Sequence, residues 1–397
     1  MKNLQTTAKK YQKYIIETRH ALHANPELSK REYHTSAFIK SELDKMGVSW
    51  RPCGLETGIL ATIRGEKRKI AQKKTLEKTI LLRADMDAIA VEEQTKAPYA
   101  SRNEGVMHAC GHDCHVSMLL TAAHILNDMK KEFSGTVKLA FQPAEEIAAG
   151  AKAMLEDGAA EGVDGAFAIH IWSDVPAGHI FCPNGPIMAA VDHFEIEVTG
   201  QGCHGAQPDL GIDALVAAAE VVRDLQTIVS RRTAPLEPAV VTVGQFHSGT
   251  QWNVVAETAY MEGTARCFDE HTWEQIPGLL VEIAEGGAAA NGAKAEVKIC
   301  RNHPPLSNNP AMAALVRTAA DKVMGDGAAL DMPKTMCGED FAFFAKAVPA
   351  AMTLLGCRNE ACGAVWPQHS GKYSVDESVL IKGAMLYAQV VFDFMEN

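Results

Sequence analysis

The feature that most restricts the fold is a short, largely apolar run at residues 79–84. Runs of this length and composition are typical of strands buried on both faces, as in parallel sheets covered by helices. Similar runs follow at 137–141 and 165–171, and a helical pattern at 116–129 separates the first two. This alternation of strands and helices predicts an α/β sandwich.

The pattern changes near Ala190, after which apolar and polar residues alternate as in a sheet with one buried face. The predicted elements from there follow the order β-α-β-β-α-β, which is the ferredoxin-like arrangement. Beyond residue 302 the helix and strand patterns of the first domain return. We therefore predict a catalytic domain made of residues 1–189 and 303–397, interrupted by an inserted α+β domain at residues 190–302.

Composition excludes some classes of protein. A formal net charge of -11 argues against nucleic-acid binding, which needs basic patches to neutralise phosphates. No apolar run is long enough for a membrane span, so no membrane partner is expected. Ten irregularly spaced cysteines, with no apolar stretch at the start, favour free thiols in the cytoplasm. The basic segment at residues 65–78 is interpreted as a solvated loop, with a docking surface for an acidic partner as the alternative.

The segment M-H-A-C-G-H-D-C-H concentrates candidate metal ligands, with five histidines and cysteines in eight residues. Cys110 and His112 lie two residues apart in a glycine-containing turn, where a thiolate and an imidazole can bind one ion or bridge two. For that pair alone, a buried cysteine beside a structural histidine would be the simpler interpretation. Cys114 and His115 are expected to begin the following helix and pack.

A second group of polar residues follows the predicted buried strands. Glu145 and Glu146 come after one strand and His170 lies near the end of the next, where ligands collect in open α/β sheets. Two adjacent charged carboxylates repel each other. This repulsion is reduced if one carboxylate binds a metal ion and the other carries protons. Together with the ligands at 110 and 112, this inventory indicates the active site of a metallohydrolase.

Several motifs together resemble the M20 metallopeptidase superfamily. They resemble more closely its amidohydrolase branch, which includes hippurate hydrolases, auxin-conjugate hydrolases and N-acetyl-diaminopimelate deacetylases. The similarity extends over nearly the whole chain. The motifs are H-x-x-P-E-L (23–28), R-A-D-M-D-A (83–88), M-H-A-C-G-H-D (107–113), Q-P-A-E-E (142–146), A-I-H (168–170), G-Q-G-C-H-G-A-Q-P (200–208) and G-T-A-R (263–266).

The resemblance implies a centre of two divalent metal ions, either zinc, manganese, cobalt or nickel. Its ligands would be Cys110, His112, Glu146, His170 and His369, with the thiolate bridging. Glu145 would be the general base that takes a proton from water and returns one to the leaving nitrogen. Asp87 would be a carboxylate that orients one of the ligands.

For the inserted domain, the resemblance implies a lid that also forms a homodimer through its sheet. His204 would polarise the carbonyl oxygen of the scissile amide, and Asn253 would contact the substrate, although Val254-Val255 replaces the usual Ile-Pro after it. Arg266 matches a clamp for a carboxylate, for which a guanidinium is suited. A structural ion pair is the alternative for Arg266.

The predicted function is therefore metal-dependent hydrolysis of the amide of an N-acyl amino acid or related small conjugate. The nearest alternative is a dipeptidase or aminopeptidase with the same two-metal centre, which would prefer a free α-amino group. A scaffold protein with a structural metal is a second alternative. The spare carboxylate of Glu145 argues against a closed structural site.

Overall fold

The computed structural model describes residues 2–67 and 77–396, which form two compact units. Of the described residues, unit 1 takes 2–67, 77–185, 307–333 and 340–396, and unit 2 takes 186–306 and 334–339. Most of the basic segment at 65–78 lies outside the described residues, so its interpretation stays a prediction.

In the described residues, the helices are α1 (Lys2–Lys9), α2 (Gln12–His23), α3 (Tyr33–Met46), α4 (His112–Asp128), α5 (Gly150–Glu156), α6 (Ala214–Thr227), α7 (Glu270–Ala290), α8 (Pro310–Met324), α9 (Ala342–Ala347) and α10 (Leu380–Glu396). The strands are β1 (Ser49–Pro52), β2 (Ile59–Arg64), β3 (Thr79–Asp85), β4 (Thr136–Gln142), β5 (Gly165–Pro176), β6 (Ile180–Phe181), β7 (Gly185–Met188), β8 (Ala190–Thr199), β9 (Cys203–His204), β10 (Ala239–Ser248), β11 (Val254–Val255), β12 (Thr258–Cys267), β13 (Lys294–His303), β14 (Leu306–Asn308) and β15 (Ala350–Arg358).

Unit 1 is built on a seven-stranded sheet in the order β1-β2-β4-β3-β5-β15-β6. The four central strands are parallel, and β1, β2 and β6 join antiparallel at the edges. Six of the seven residues of β3 are buried, as its apolar run predicts. Tyr387 of α10 fixes a helix to two strands, because its hydroxyl donates to the Arg83 carbonyl (2.8 Å) and accepts from the Ile169 amide (3.1 Å). The prediction of a helix-covered α/β layer is confirmed.

The last helix is apolar enough and, with the turn before it, long enough to cross a membrane. An 18-residue window within residues 377–396 has a mean hydropathy of 1.4, and 78% of that window is buried inside the protein. Helix α10 packs against α4 and α8. Its apolar character is that of a core helix.

Unit 2 carries a four-stranded antiparallel sheet in the order β10-β12-β8-β13. Alternate residues of β8, namely Phe194, Ile196 and Val198, are fully buried and share one apolar core with α6 and α7. Both helices begin at an aspartate whose carboxylate accepts main-chain N–H groups of the first turn, Asp213 for α6 and Asp269 for α7. The strand order and the two helices confirm the ferredoxin-like prediction.

The bounds of unit 2 are wider than the inserted segment predicted at 190–302. Residues 334–339 belong to it because their backbone pairs with the segment before β8. The Ala189 amide donates to the Cys337 carbonyl (3.0 Å), and the Thr335 amide donates to the Ile187 carbonyl (3.2 Å). A pairing between segments so distant in sequence leaves no periodic signal.

Candidate metal centre

The turn before α4 places Cys110 and His112 side by side. Gly111 between them has φ +91°, and a Cβ there would lie 2.5 Å from Ile171 Cγ2 and 2.8 Å from Tyr373 Oη. Only glycine fits both the backbone conformation and the space. Helix α4 begins at His112, two residues before Cys114 and four before the helical pattern at 116–129.

The imidazoles of His112 and His170 are both oriented by the main chain. Nδ1 of His112 lies 2.8 Å from the Asp87 carbonyl, and Nδ1 of His170 lies 2.7 Å from the Ile171 carbonyl. A carbonyl oxygen can only accept a hydrogen bond, so each Nδ1 donates to it and each Nε2 is left for another partner. Nε2 of His170 faces Cys110 Sγ at 3.5 Å, and Nε2 of His112 has no hydrogen-bond partner among the described residues.

The paired glutamates follow β4 on a strained turn. Ala144 and Ala148 on either side have φ +53° and +52°, values that alanine rarely adopts. Asp87 holds the turn, because its two carboxylate oxygens accept the main-chain N–H groups of Glu145 (3.0 Å) and Glu146 (3.1 Å). Asp87 therefore supports both the glutamate turn, through its carboxylate, and the His112 ring, through its main-chain carbonyl.

His369 completes the cluster from a loop late in the chain. It too has a positive φ, +63°, and its amide donates to the Ala109 carbonyl (2.8 Å), which ties this loop to the Cys110 turn. Its Nε2 lies 3.6 Å from Glu146 Oε1. Strained residues of this kind concentrate at functional sites, where surrounding contacts hold them in place.

Three overlapping groups describe the resulting site, each with ligand atoms within 4.8 Å of one another. They bring together the predicted ligands and the predicted base; the groups are Cys110–His112–His170, Cys110–Glu146–His369 and His112–Glu145–Glu146. The residues come from α4 and the turn before it, from β5, and from the loops after β4 and β15. His170 lies within β5 rather than at its end, but beyond the part that pairs with β3.

Burial and crowding of carboxylates shift the pKa values of the cluster. Burial, with Glu146, Glu145 and Asp85 nearby, raises the pKa of the Cys110 thiol well above its usual value. Burial lowers the pKa of His112, but Asp85, Asp87 and Glu146 outweigh it and raise the pKa to about 10. The cluster is therefore an anionic pocket that attracts protons or other cations.

A second layer of buried charges lies behind the site, and the sequence patterns did not predict it. His115 packs as predicted but also contacts Asp85 through Nδ1 (2.5 Å), while its Nε2 accepts the Ile171 amide (2.8 Å). Both ring nitrogens are thereby used, although Asp85, His112 and His115 also have ligand atoms close together. Arg83 donates to Asp85 (2.6 Å) and to Asp340 (3.0 Å). An arginine inside an apolar strand was the available signal.

The remaining predicted residues lie in unit 2. His204 on β9 pairs with Val254 on β11, and the Gly205 amide donates to the Asn253 carbonyl (2.8 Å), so His204 and Asn253 lie close together. Nδ1 of His204 accepts the Ala206 amide (3.0 Å), which leaves Nε2 as an exposed donor. The side-chain oxygen of Asn253 is buried without a hydrogen-bond partner among the described residues.

Arg266 donates one hydrogen bond, to the Met336 carbonyl (2.8 Å), within unit 2. Among the residues that the structure describes, no carboxylate lies within salt-bridge distance of its guanidinium. The alternative of a structural ion pair is therefore not what the geometry shows. The guanidinium keeps donors for another acceptor.

Comparisons with known proteins agree with this arrangement. The family described as "Peptidase family M20/M25/M40" matches residues 81–393. The N-acetyl-L-cysteine deacetylase of Bacillus subtilis is 40% identical over 373 residues, which cover 94% of this chain and 86% of that protein. Thermostable carboxypeptidase 2 of Saccharolobus solfataricus is 37% identical over 398 residues, 99% of this chain and 98% of that one.

Among solved structures, the Bacillus subtilis YXEP protein, described as a dinuclear metal binding peptidase from the M20 family, superposes with a TM-score of 0.84 at 33% identity. The match covers 98% of this chain and 99% of that one. A likeness over the full length of both chains includes both units of the fold.

Proposed function

The chain belongs to peptidase family M20/M25/M40, and on that premise we propose that it hydrolyses the amide bond of an N-acylated amino acid or related conjugate. The products are a carboxylic acid and an amino acid. The observation that carries this proposal is the cluster of five candidate ligand side chains, two of which, His112 and Glu146, lie close to Glu145; this set matches the inventory of a hydrolytic metal site.

The residues present fit two divalent metal ions. Buried Nε2 of His112 and Oε1 of Glu146 have no hydrogen-bond partner within the described residues, and these atoms lie 3.9 Å apart. Buried polar atoms of this kind need a partner, and a cation suits both. Cys110, His112, Glu146, His170 and His369 would hold the ions, which are zinc, manganese, cobalt or nickel. When bound, such ions polarise the amide carbonyl and lower the pKa of a water molecule.

Glu145 is the proton carrier in this proposal. Its carboxylate lies among the ligand atoms of His112 and Glu146, and one of its oxygens accepts the Asp340 amide at 3.4 Å. It takes a proton from the attacking water and passes it to the nitrogen of the leaving amino acid. A single carboxylate can serve as base and then as acid because the two steps are sequential.

Unit 2 supplies the groups that bind the substrate in this proposal. The exposed Nε2–H of His204 would donate to the carbonyl oxygen as negative charge develops there, with Asn253 beside it. Arg266 would bind the carboxylate of the amino acid. Closure of this unit as a lid would exclude water from the reaction.

The proposal includes a cytoplasmic homodimer formed through unit 2. This unit carries most of the exposed large apolar side chains in the described residues, namely Leu210, Leu215, Val216, Val229, Leu236, Phe246, Trp252 and Val254. Strand β10 lies at one edge of its sheet and can pair with another strand. All ten cysteines are unpaired, which suits a reducing compartment.

A release assay tests the proposed function. Metal-loaded protein is incubated with N-acetyl, N-benzoyl and indole-acyl amino acids and with free dipeptides, each with and without a chelator. Chelator-sensitive release from the acylated substrates is expected. The similarity to a carboxypeptidase makes dipeptides the informative second arm, since preference for them would move the protein to the peptidase alternative. No release from any substrate despite bound metal would favour the scaffold alternative.

A further inference from the structure

The segment at residues 23–32, called the N-terminal brace below, contains the motif H-x-x-P-E-L and lies outside residues 81–393 that match the family. We propose that the N-terminal brace is a positioning element of the metal centre, which it holds from two sides through Asp113, Asp87 and Ala144. The inference rests on the proposed two-metal centre and adds to it residues that contact no predicted ligand atom themselves.

One end of the brace holds the helix that carries His112. Nδ1 of His23 donates to Asp113 Oδ2 at 2.8 Å, and Arg19 Nε donates to the same oxygen at 3.0 Å. All three side chains are at most 2% exposed. Asp113 follows His112 in the first turn of α4. The start of α4, and with it the His112 ring, is therefore anchored to α2 rather than to the sheet alone.

The middle of the brace holds the residue that supports the glutamate pair. Ser29 donates to Asp87 Oδ2 at 2.6 Å, and the same carboxylate accepts the amides of Glu145 and Glu146. The Ala88 amide, next along the chain, donates to the Glu27 carbonyl at 2.8 Å. Asp87 is thus fixed by the brace through both its side chain and the backbone that follows it.

The far end of the brace reaches the strained turn directly. Glu32 is fully buried, and its Oε1 accepts the Ala144 amide at 2.9 Å while Thr57 donates to Oε2 at 2.8 Å. Ala144 is the residue with φ +53° immediately before Glu145. A backbone in this conformation persists only when surrounding contacts hold it, and Glu32 provides one of them.

These contacts have a common consequence. The N-terminal brace contacts the His112 side of the site through Asp113. It contacts the Glu146 side through Asp87 and Ala144, so it sets the spacing between His112 and Glu146. The ligand atoms of those residues are 3.9 Å apart. Residues that hydrogen-bond to metal ligands orient those ligands, and replacing such a residue typically lowers metal affinity or activity 10- to 100-fold.

The test uses Co²⁺ alone as the probe, since its visible absorption reports ligand geometry. Ser29→Ala removes one hydroxyl and leaves the buried His23–Asp113 pair intact. Ser117→Ala is the matched control, because Ser117 is a buried serine on α4 whose hydroxyl donates to the Cys114 carbonyl (2.9 Å). Titration of the full-length, metal-free protein gives the affinity and stoichiometry, and thermal unfolding without metal reports the fold.

We expect Ser29→Ala to bind Co²⁺ roughly 10- to 100-fold more weakly, with a shifted visible spectrum, and Ser117→Ala to match the wild type. A general loss of stability would change the unfolding temperature but not the spectrum of the bound ion. A wild-type spectrum and affinity in Ser29→Ala would overturn the positioning role. A wild-type protein that takes up no Co²⁺ would contradict the proposed metal centre itself, so the two failures are distinguishable.

Discussion

The imidazole of His112 is oriented by the main-chain carbonyl of Asp87, which accepts from its Nδ1 at 2.8 Å. The same residue, through its carboxylate, accepts the amides of Glu145 and Glu146. One aspartate therefore positions a ligand on α4 and the turn that carries two carboxylates. The side chains of the site are thus linked by hydrogen bonds. Substitutions at different positions are expected to affect turnover, metal binding and stability to different degrees.

Glu145→Gln is expected to abolish turnover without releasing metal. Glutamine keeps the shape and can still accept the Asp340 amide, but it cannot take a proton from water. Loss of a general base typically lowers kcat by about 10² to 10⁴-fold. Kinetics and metal analysis of the same preparations measure both effects, with the exposed Glu132→Gln as control. Unchanged turnover would contradict the assignment of Glu145 as base.

Gly111→Ala is expected to destabilise the site and lower metal occupancy. The new Cβ would clash with Ile171 and Tyr373, and φ +91° is unfavourable for alanine. The backbone conformation alone costs about 1–2 kcal/mol, and the clash adds to that. Gly105→Ala is a matched control, because Gly105 has φ +72° with nothing within 4 Å of its Cβ position. Equal changes in unfolding free energy for both variants would show that the clash is relieved at no cost.

Metal binding is expected to strengthen as pH rises through the neutral range. Without metal, Cys110 keeps its proton because its pKa is raised by burial and by Glu146, Glu145 and Asp85. His112, with a pKa of about 10, is also protonated at pH 7. A metal binds the deprotonated forms, so each displaced proton makes the apparent affinity rise about tenfold per pH unit.

Calorimetry in buffers of different ionisation enthalpy counts the protons released on metal binding. Cys110→Ala is expected to release about one proton fewer than the wild type, because it lacks the thiol. A pH-independent affinity would contradict the protonated ligand set.

The position of part of the candidate site could be predicted from the sequence, because Glu146 follows one buried apolar run and His170 lies in the next. Residues at the same edge of a parallel sheet lie near one another whatever their separation in the chain, and Glu146 and His170 each have a ligand atom within 4.8 Å of one on His112. The connections behind them left no comparable signal. His115 contacts Asp85 because of the direction in which one face of α4 is turned. Ser29 contacts Asp87 because of the path of a loop. The backbone of the 334–339 segment pairs with the segment before β8, and side-chain patterns do not encode a pairing of this kind.

Arg83→Met is expected to cost about 3–5 kcal/mol of unfolding free energy, because it removes the cation that two buried carboxylates share. Arg83 bridges Asp85 and Asp340, and all three side chains are at most 1% exposed. Lys294→Met breaks an ion pair with Glu296 whose partners are 75% and 72% exposed, and should change stability by less than about 1 kcal/mol. Urea unfolding of both variants measures the difference. Similar costs would mean that the buried pairs are replaceable by apolar packing.

The apolar surface of unit 2 makes the proposed homodimer testable. Leu215 and Val216 on α6 are 41% and 49% exposed, while Ala217, Ala218 and Val221 of the same helix face the core. Exposed apolar side chains gathered on one unit are typical of an interaction surface. Leu215→Glu combined with Val216→Glu should convert a dimer into monomers, since it places two charges where apolar contact is expected.

Sedimentation of wild type and the double variant measures the change, with Tyr33→Glu as control because Tyr33 is 51% exposed on α3 of unit 1. The charges lie outside the core of unit 2, so the variant should unfold at the wild-type temperature. A wild-type monomer, or a variant that stays dimeric, would contradict an interface at this end of α6. Loss of hydrolysis only in the monomeric variant would further indicate that a second copy is needed for a complete site.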